Sequence, residues 1–244
     1  MSSTRTHAVV TGVFFLVAAV AAVLALALYQ PALHDAGYAL GAGADTRVLL
    51  GGFLEVVLCA AVIGTAVTVH PVVQRHGASL ALGYVCGRLL EAAVIAVGIM
   101  ATLSVVTLRQ VHPADGTPDD ASVATVTRAL VAVHDWSFLL GPGLVIGVNT
   151  LLLALLVHRG RLVPRWISTL GLIGGPLVLA SSTAVLFGLY DQVSAPAAVG
   201  ALPVTAWEMS LAVHLVVRSF RAPASTAPDP TAPLSTAPTA LAPA

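Results

Sequence analysis

The apolar positions of this chain fall into long unbroken runs, unlike the alternation of a half-buried strand or the one-sided stripe of a soluble helix. Crossing the hydrocarbon core of a bilayer takes roughly 20 helical residues. Six runs reach that length, at about 8–28, 48–69, 79–108, 134–157, 166–190 and 198–217. No stretch alternates with period two over a length that suggests a barrel, and an open sheet cannot satisfy its backbone in lipid. The pattern predicts an all-α, polytopic membrane protein, with a six-transmembrane-helix bundle over residues 1–221. The first run follows Arg5 and ends near Ala25, Leu26 and Ala27, in the manner of a cleavable signal. It is longer than the usual signal core of about 7 to 15 residues, so an uncleaved anchor is expected; cleavage would leave five helices.

Two segments break the pattern. The stretch PDDASVATVTRALVAVHD opens with Pro118, Asp119 and Asp120, which suit a helix start, and continues with Val123, Val126, Leu130 and Val133 at helical spacing. It predicts a short outer amphipathic helix lying on the membrane surface before the fourth span. Residues 222–244, APASTAPDPTAPLSTAPTALAPA, repeat STAP and hold too little bulky apolar surface to fold. They are expected to form a disordered Ala/Pro/Thr-rich cytoplasmic tail.

Composition agrees with the pattern. The chain is 57% hydrophobic and 9% charged, against about 25% charged in a soluble domain. It contains no Lys, and its 11 Arg balance 11 acids. A basic footprint for nucleic acid is therefore missing. Arg5, Arg75, Arg159, Arg161, Arg165, Arg218 and Arg221 fall on one side of the predicted topology, whereas Arg47, Arg109 and Arg128 fall on the other. The positive-inside rule then puts both termini in the cytoplasm. Asp35, Asp45, Asp115, Asp119, Asp120, Asp135 and Asp191 all lie on the outer side, and Tyr29, Trp136 and Tyr190 mark outer boundaries, with Trp166 at an inner one.

Small residues suggest how the spans pack. Gly83 and Gly87, Gly143 and Gly147, and Gly171 and Gly175 have the GxxxG spacing that lets helix backbones approach in lipid. Pro142 and Pro176 each remove a backbone donor within a span, which predicts kinks. Cys59 and Cys86 sit in apolar runs as small packing residues.

Charged and amide groups within the spans carry the chemistry. At 1.5 Å per residue from the cytoplasmic ends, Arg88, Glu91, Asn149, Glu208 and Glu55 fall at depths of about 12 to 21 Å, so a single central polar layer is expected. Arg88 and Glu91, at i and i+3, share a face with Tyr84, which must turn away from lipid. Arg88 can fork to an interhelical carboxylate, Glu208 or Glu55. One guanidinium cannot neutralise three carboxylates, so at least one is expected to carry a proton. Such a layer suits a proton relay or ion path, and it suits equally a charge-paired lock that only fixes helix register. His134, Asp135 and Trp136 form a further polar cluster at the outer interface. Of the other histidines, His70, His158 and His214 lie near inner ends and His34 and His112 outside; no HxxxH or CxxC spacing supports a metal or haem, and no cofactor is expected. P-loop, GxSxG, HExxH and dinucleotide fingerprints are missing as well.

The stretch HDWSFLLGPGLVIGVNTLLLALLVHRGRLVPRWISTLGLIGGPLVL, residues 134–179, resembles the core of a bacterial integral-membrane family, domain of unknown function 4386. YVCGRLLEAAVIAVGIMATLSVVTLR, residues 84–109, resembles the same family's third span. The motifs HDW, FLLGPG, LVPR and GLIGGP carry the likeness, which covers most of residues 8–218. It implies an uncharacterised six-span membrane protein and supplies no activity, so no catalytic residue follows from it. The all-Arg, Ala-rich composition adds the expectation of a bacterial cytoplasmic (inner) membrane. Three roles stay open: a non-catalytic membrane scaffold or regulatory protein, a proton-coupled small-solute or ion transporter using the Arg/Glu cluster, and a membrane-embedded enzyme or haem protein. An enzyme is the least favoured of them, as no catalytic motif is present. Expected partners are the lipid bilayer and a second copy or a membrane partner protein, with the substrate unknown.

Overall fold

The structure, a computed structural model, describes residues 3–35, 37–41, 45–111 and 120–221. The expected disordered tail at 222–244 lies outside the described residues, as do His112, Asp115 and Asp119. Among the described residues all regular structure is helical: α1 (Ser3–His34), α2 (Thr46–Val73), α3 (Ala78–Val111), α4 (Asp120–Phe138), α5 (Ile146–Arg159), α6 (Arg165–Leu186) and α7 (Ala195–Arg218). Six helical stretches are long and apolar enough to cross a membrane, because α4 and α5 form one stretch, Asp120–Arg159. Large apolar side chains such as Val23, Phe53, Leu82 and Leu202 point outward from the bundle. Hydroxyls along the spans bond back to the carbonyl four residues earlier, as Thr102 does to Gly98 and Thr205 to Ala201, which satisfies them without water.

Successive helices pack as neighbours. α2 lies between α1 and α3, α3 carries α4 and α5, α6 joins α5 to α7, and α7 returns to α1. The Arg-rich ends gather on one side. There Arg5 donates to the carbonyls of Val216 and Val217, the Arg221 amide donates to Leu162 O (2.8 Å), and the His76 ring lies against Gly160. At the opposite end Arg109 pairs with Asp45 at 2.9 Å and stacks over the Tyr38 ring at 4.4 Å, tying the α1–α2 connection to α3. Burial raises the Tyr38 phenol above its ordinary value, as does the Asp45 carboxylate it donates to, while Arg109 opposes them.

Three expectations change. The short amphipathic helix is not a separate element on the membrane surface. α4 continues through a π-helical segment, Leu139–Val145, into α5. No Gly or Pro breaks the helix between Val123 and His134, and the apolar stripe finds a protein surface: Val123 packs with Tyr29, Tyr38 and Val105. The fifth span ends at Leu186, short of residue 190, because Phe187–Tyr190 turn through Gly188 at φ +71°. Tyr29, expected to show its ring at an outer boundary, is fully buried within the bundle, its ring against Gly51 and edge-on to His134.

The glycine spacings and prolines resolve separately. Gly147 and Gly175 face each other, a Cβ on Gly147 falling 3.0 Å from Gly175 O, and Gly171 gives room to the buried Trp207 ring. Gly83 meets only Leu152 at 3.6 Å. Pro142 lies inside the π-helical segment, where the wider turn relieves the clash of its ring with the preceding turn's carbonyl. Pro176 sits in α6, which stays α-helical across it. Cys59 is partly buried with its Sγ 3.5 Å from Ala92 O, while Cys86 is exposed.

Candidate functional site

The i, i+3 spacing on α3 sets Arg88 and Glu91 side by side, and helix packing completes their shell. Arg88 Nη1 donates to both Glu91 oxygens at 3.2 and 3.1 Å, Nη2 donates to Glu208 Oε1 on α7 at 3.0 Å, and Nε donates to the Tyr84 hydroxyl at 3.1 Å. The guanidinium also lies over the Phe15 and Tyr84 rings, 5.5 and 5.4 Å from their centroids. Asn149 on α5 donates from Nδ2 to Glu91 Oε2 at 2.8 Å. It reaches that oxygen because Gly87 has no side chain; a Cβ there would overlap the Asn149 carboxamide. Tyr84 in turn stands 3.5 Å from Thr65 Oγ1 on α2. Arg88 is 4% exposed and Glu91 3%, whereas the Glu208 side chain, at 19%, keeps an opening toward solvent-accessible space.

Glu55 does not join this fork, so the single layer expected from depth is two layers. At 1.5 Å per residue, Glu55 lies about 27 Å from the Val73 end of α2, and Glu91 about 20 Å from the Ala78 start of α3. The difference arises because α2 continues past residue 69 to Val73. Glu55 instead interacts electrostatically with Tyr29 of α1 and His134 of α4. Its Oε2 and the Tyr29 hydroxyl are buried and face each other, yet neither has a hydrogen-bond partner within 3.5 Å.

The outer cluster divides in the same way. His134 is buried at 4% exposure and turns inward, while Trp136 is 50% exposed and turns outward; Asp135 stays largely exposed, 3.3 Å from His134 Nδ1. Of the expected outer-interface cluster, His134 is thus buried beside Tyr29. Elsewhere, His158 pairs with Ser168 at 2.9 Å. Among the described residues no three His, Cys, Asp or Glu side chains group as metal ligands.

Both layers line one cavity of about 180 Å³. Arg88, Glu91 and Glu208 are at one end of it and Glu55 and His134 at the other, with apolar walls from α1, α2, α3 and the π-helical segment. α1 touches α7 at Gly12, where a Cβ would fall 2.7 Å from Ala212 O, and touches α4 through the Tyr29–His134 ring contact. Between those contacts Ala18, Ala19, Ala22 and Leu26 border the cavity, facing Phe138 and Pro142. Leu26 and Phe138, which line the cavity, are also exposed on the bundle surface, so the cavity's lining reaches the outside of the bundle at these two residues. Sequence reading did not find Phe15, Thr65 or Ser137 as parts of this site; no polar periodicity distinguishes them from ordinary span residues.

Comparison with known proteins adds one match. The family model described as a domain of unknown function, DUF4386, matches residues 10–219. No curated protein and no solved structure matches the chain.

Proposed function

The chain belongs to the DUF4386 family and is a multi-pass membrane protein, and from that premise we propose that it binds a small amphipathic molecule inside the bilayer, the step on which transport of such a solute rests. The observation that carries this reading is the cavity, whose apolar walls connect two polar groups and reach the bundle surface at Leu26 of α1 and Phe138 of α4. A molecule already partitioned into lipid enters such a site without crossing water. Its polar part finds the Glu55 or Glu208 carboxylate, and its apolar part finds Leu58, Ile95 and Phe138. The saturated Arg88 network alone would serve a non-catalytic scaffold as well; an open cavity has no use in one. π-helical turns recur at functional sites, and here one forms a wall of the cavity. The Arg-rich end faces the cytoplasm of a bacterial inner membrane in this reading, by the positive-inside rule.

The test uses protein reconstituted in liposomes with a panel of small lipophilic solutes. Wild type is expected to bind or move at least one of them. Ala22→Trp, which fills the cavity from α1, is expected to remove that activity while leaving thermal unfolding close to wild type. A wild-type protein as inert as empty liposomes across the whole panel sinks the proposal.

A further inference from the structure

We propose that the ligand taken by this cavity is a small organic cation, an ammonium with an apolar body, held by the Glu55 carboxylate beside Tyr29. This rests on the cavity being a binding site and names the chemistry it selects. Three carboxylates and one guanidinium line the cavity. Each Arg88 nitrogen already has an acceptor, in Tyr84, Glu91 or Glu208, and two carboxylates offset its one charge, so an added anion would meet net negative charge there. Glu91 is likewise satisfied by Arg88 and Asn149.

Glu55 is different. It is 9% exposed, lines the cavity, and has an oxygen buried with no hydrogen-bond donor. The Tyr29 hydroxyl beside it is also unpartnered and can offer its oxygen to a cation or its proton to the carboxylate. Tyr29 can turn its proton to the carboxylate and His134 faces it from α4, but with Oε2 left without a close donor a carboxylate in this apolar space has room for a positive charge beside it. An inorganic divalent ion fits poorly, since it takes about six or more oxygen ligands and no cluster of ligating side chains is present among the described residues. The cavity's walls are apolar, and about 150 Å³ is enough to hold benzene. At about 180 Å³ there is room for one ring or a short branched chain beside the charge.

The experiment compares two probes that differ by one charge: benzylammonium and its neutral isostere ethylbenzene. Radiolabelled binding to full-length protein in nanodiscs is measured above protein-free nanodiscs. Wild type is expected to bind the cation about tenfold or more tightly than the isostere. Glu55→Gln is expected to lose that preference while retaining the isostere, and Glu55→Asp to keep part of it. Equal binding of both probes by wild type overturns the cation assignment, and a Glu55→Gln protein that still prefers the cation overturns Glu55 as the group that holds it; either result leaves the cavity reading standing. Binding of neither probe, with the wild-type protein folded, overturns both.

Discussion

Arg88 shows what a single charge requires in this environment. An ionised guanidinium among apolar helices is tolerated only with its hydrogen-bond capacity filled, and here carboxylates from two helices and a phenol fill it. Removing one partner costs more than removing all. Arg88→Met is expected to lower stability by about 3–5 kcal/mol, because it orphans Glu91 and Glu208. Combining it with Glu91→Gln and Glu208→Gln is expected to recover most of the loss. Thermal unfolding in detergent reads both; a single variant as stable as wild type would mean the charges do not hold the fold. Asn149 depends on a neighbour in the same manner. Gly87→Ala should displace its carboxamide from Glu91 and so destabilise the protein, and Asn149→Ala in that background should relieve the clash, as unfolding temperatures of the single and double variants would reveal.

At the scale of elements, close approach of backbones does what the hydrophobic effect does in water. α5 and α6 cross where Gly147 and Gly175 meet, each facing the other's carbonyl oxygen. Gly147→Val puts branched carbons against Gly175 O and Leu179, and should cost about 1–3 kcal/mol, the usual range for overpacking. The same change at Gly83, which meets only a Leu152 methyl, should cost much less. Equal losses at the two positions in a melting assay would show that the spacing, and not the contact, matters. The π-helical segment is the other decisive element. It lets Pro142 remain within a continuous helix, and it forms the cavity wall opposite α1.

For the molecule as a whole, an even number of spans places both termini on one side, and seven of the 11 arginines collect at that end. Reporter fusions in a bacterial host should therefore give cytoplasmic fluorescence from both termini and no periplasmic phosphatase activity from either. Phosphatase activity at the C-terminus would refute this orientation. The bundle itself divides unevenly. On the Arg-rich side Trp207, Leu211, Leu215, Leu153 and Ile167 make a filled core, whereas the cavity lies among residues of α1, α2, α3 and α4 further along the bundle.

The amino-acid sequence by itself determined the six spans, the helical class, the clustering of arginines at one end, and the pairing of Arg88 with Glu91 and an interhelical carboxylate. Each of these follows from local chemistry: apolar length against bilayer thickness, i, i+3 spacing, and the cost of an unpaired charge. Glu208 as that carboxylate, and Glu55 as the one left out, depended on where α2 ends and on which helices touch, so depth counted along single helices could not separate them. His134 and Trp136 differ by two residues, and only the docking of α4 on α3 decided that one turns inward and the other outward. The cavity was least legible of all. It is a space between helices distant in the chain, lined by residues from α1 to α7 with Pro142 of the π-helical turn among them, and no residue pattern along one segment encodes it.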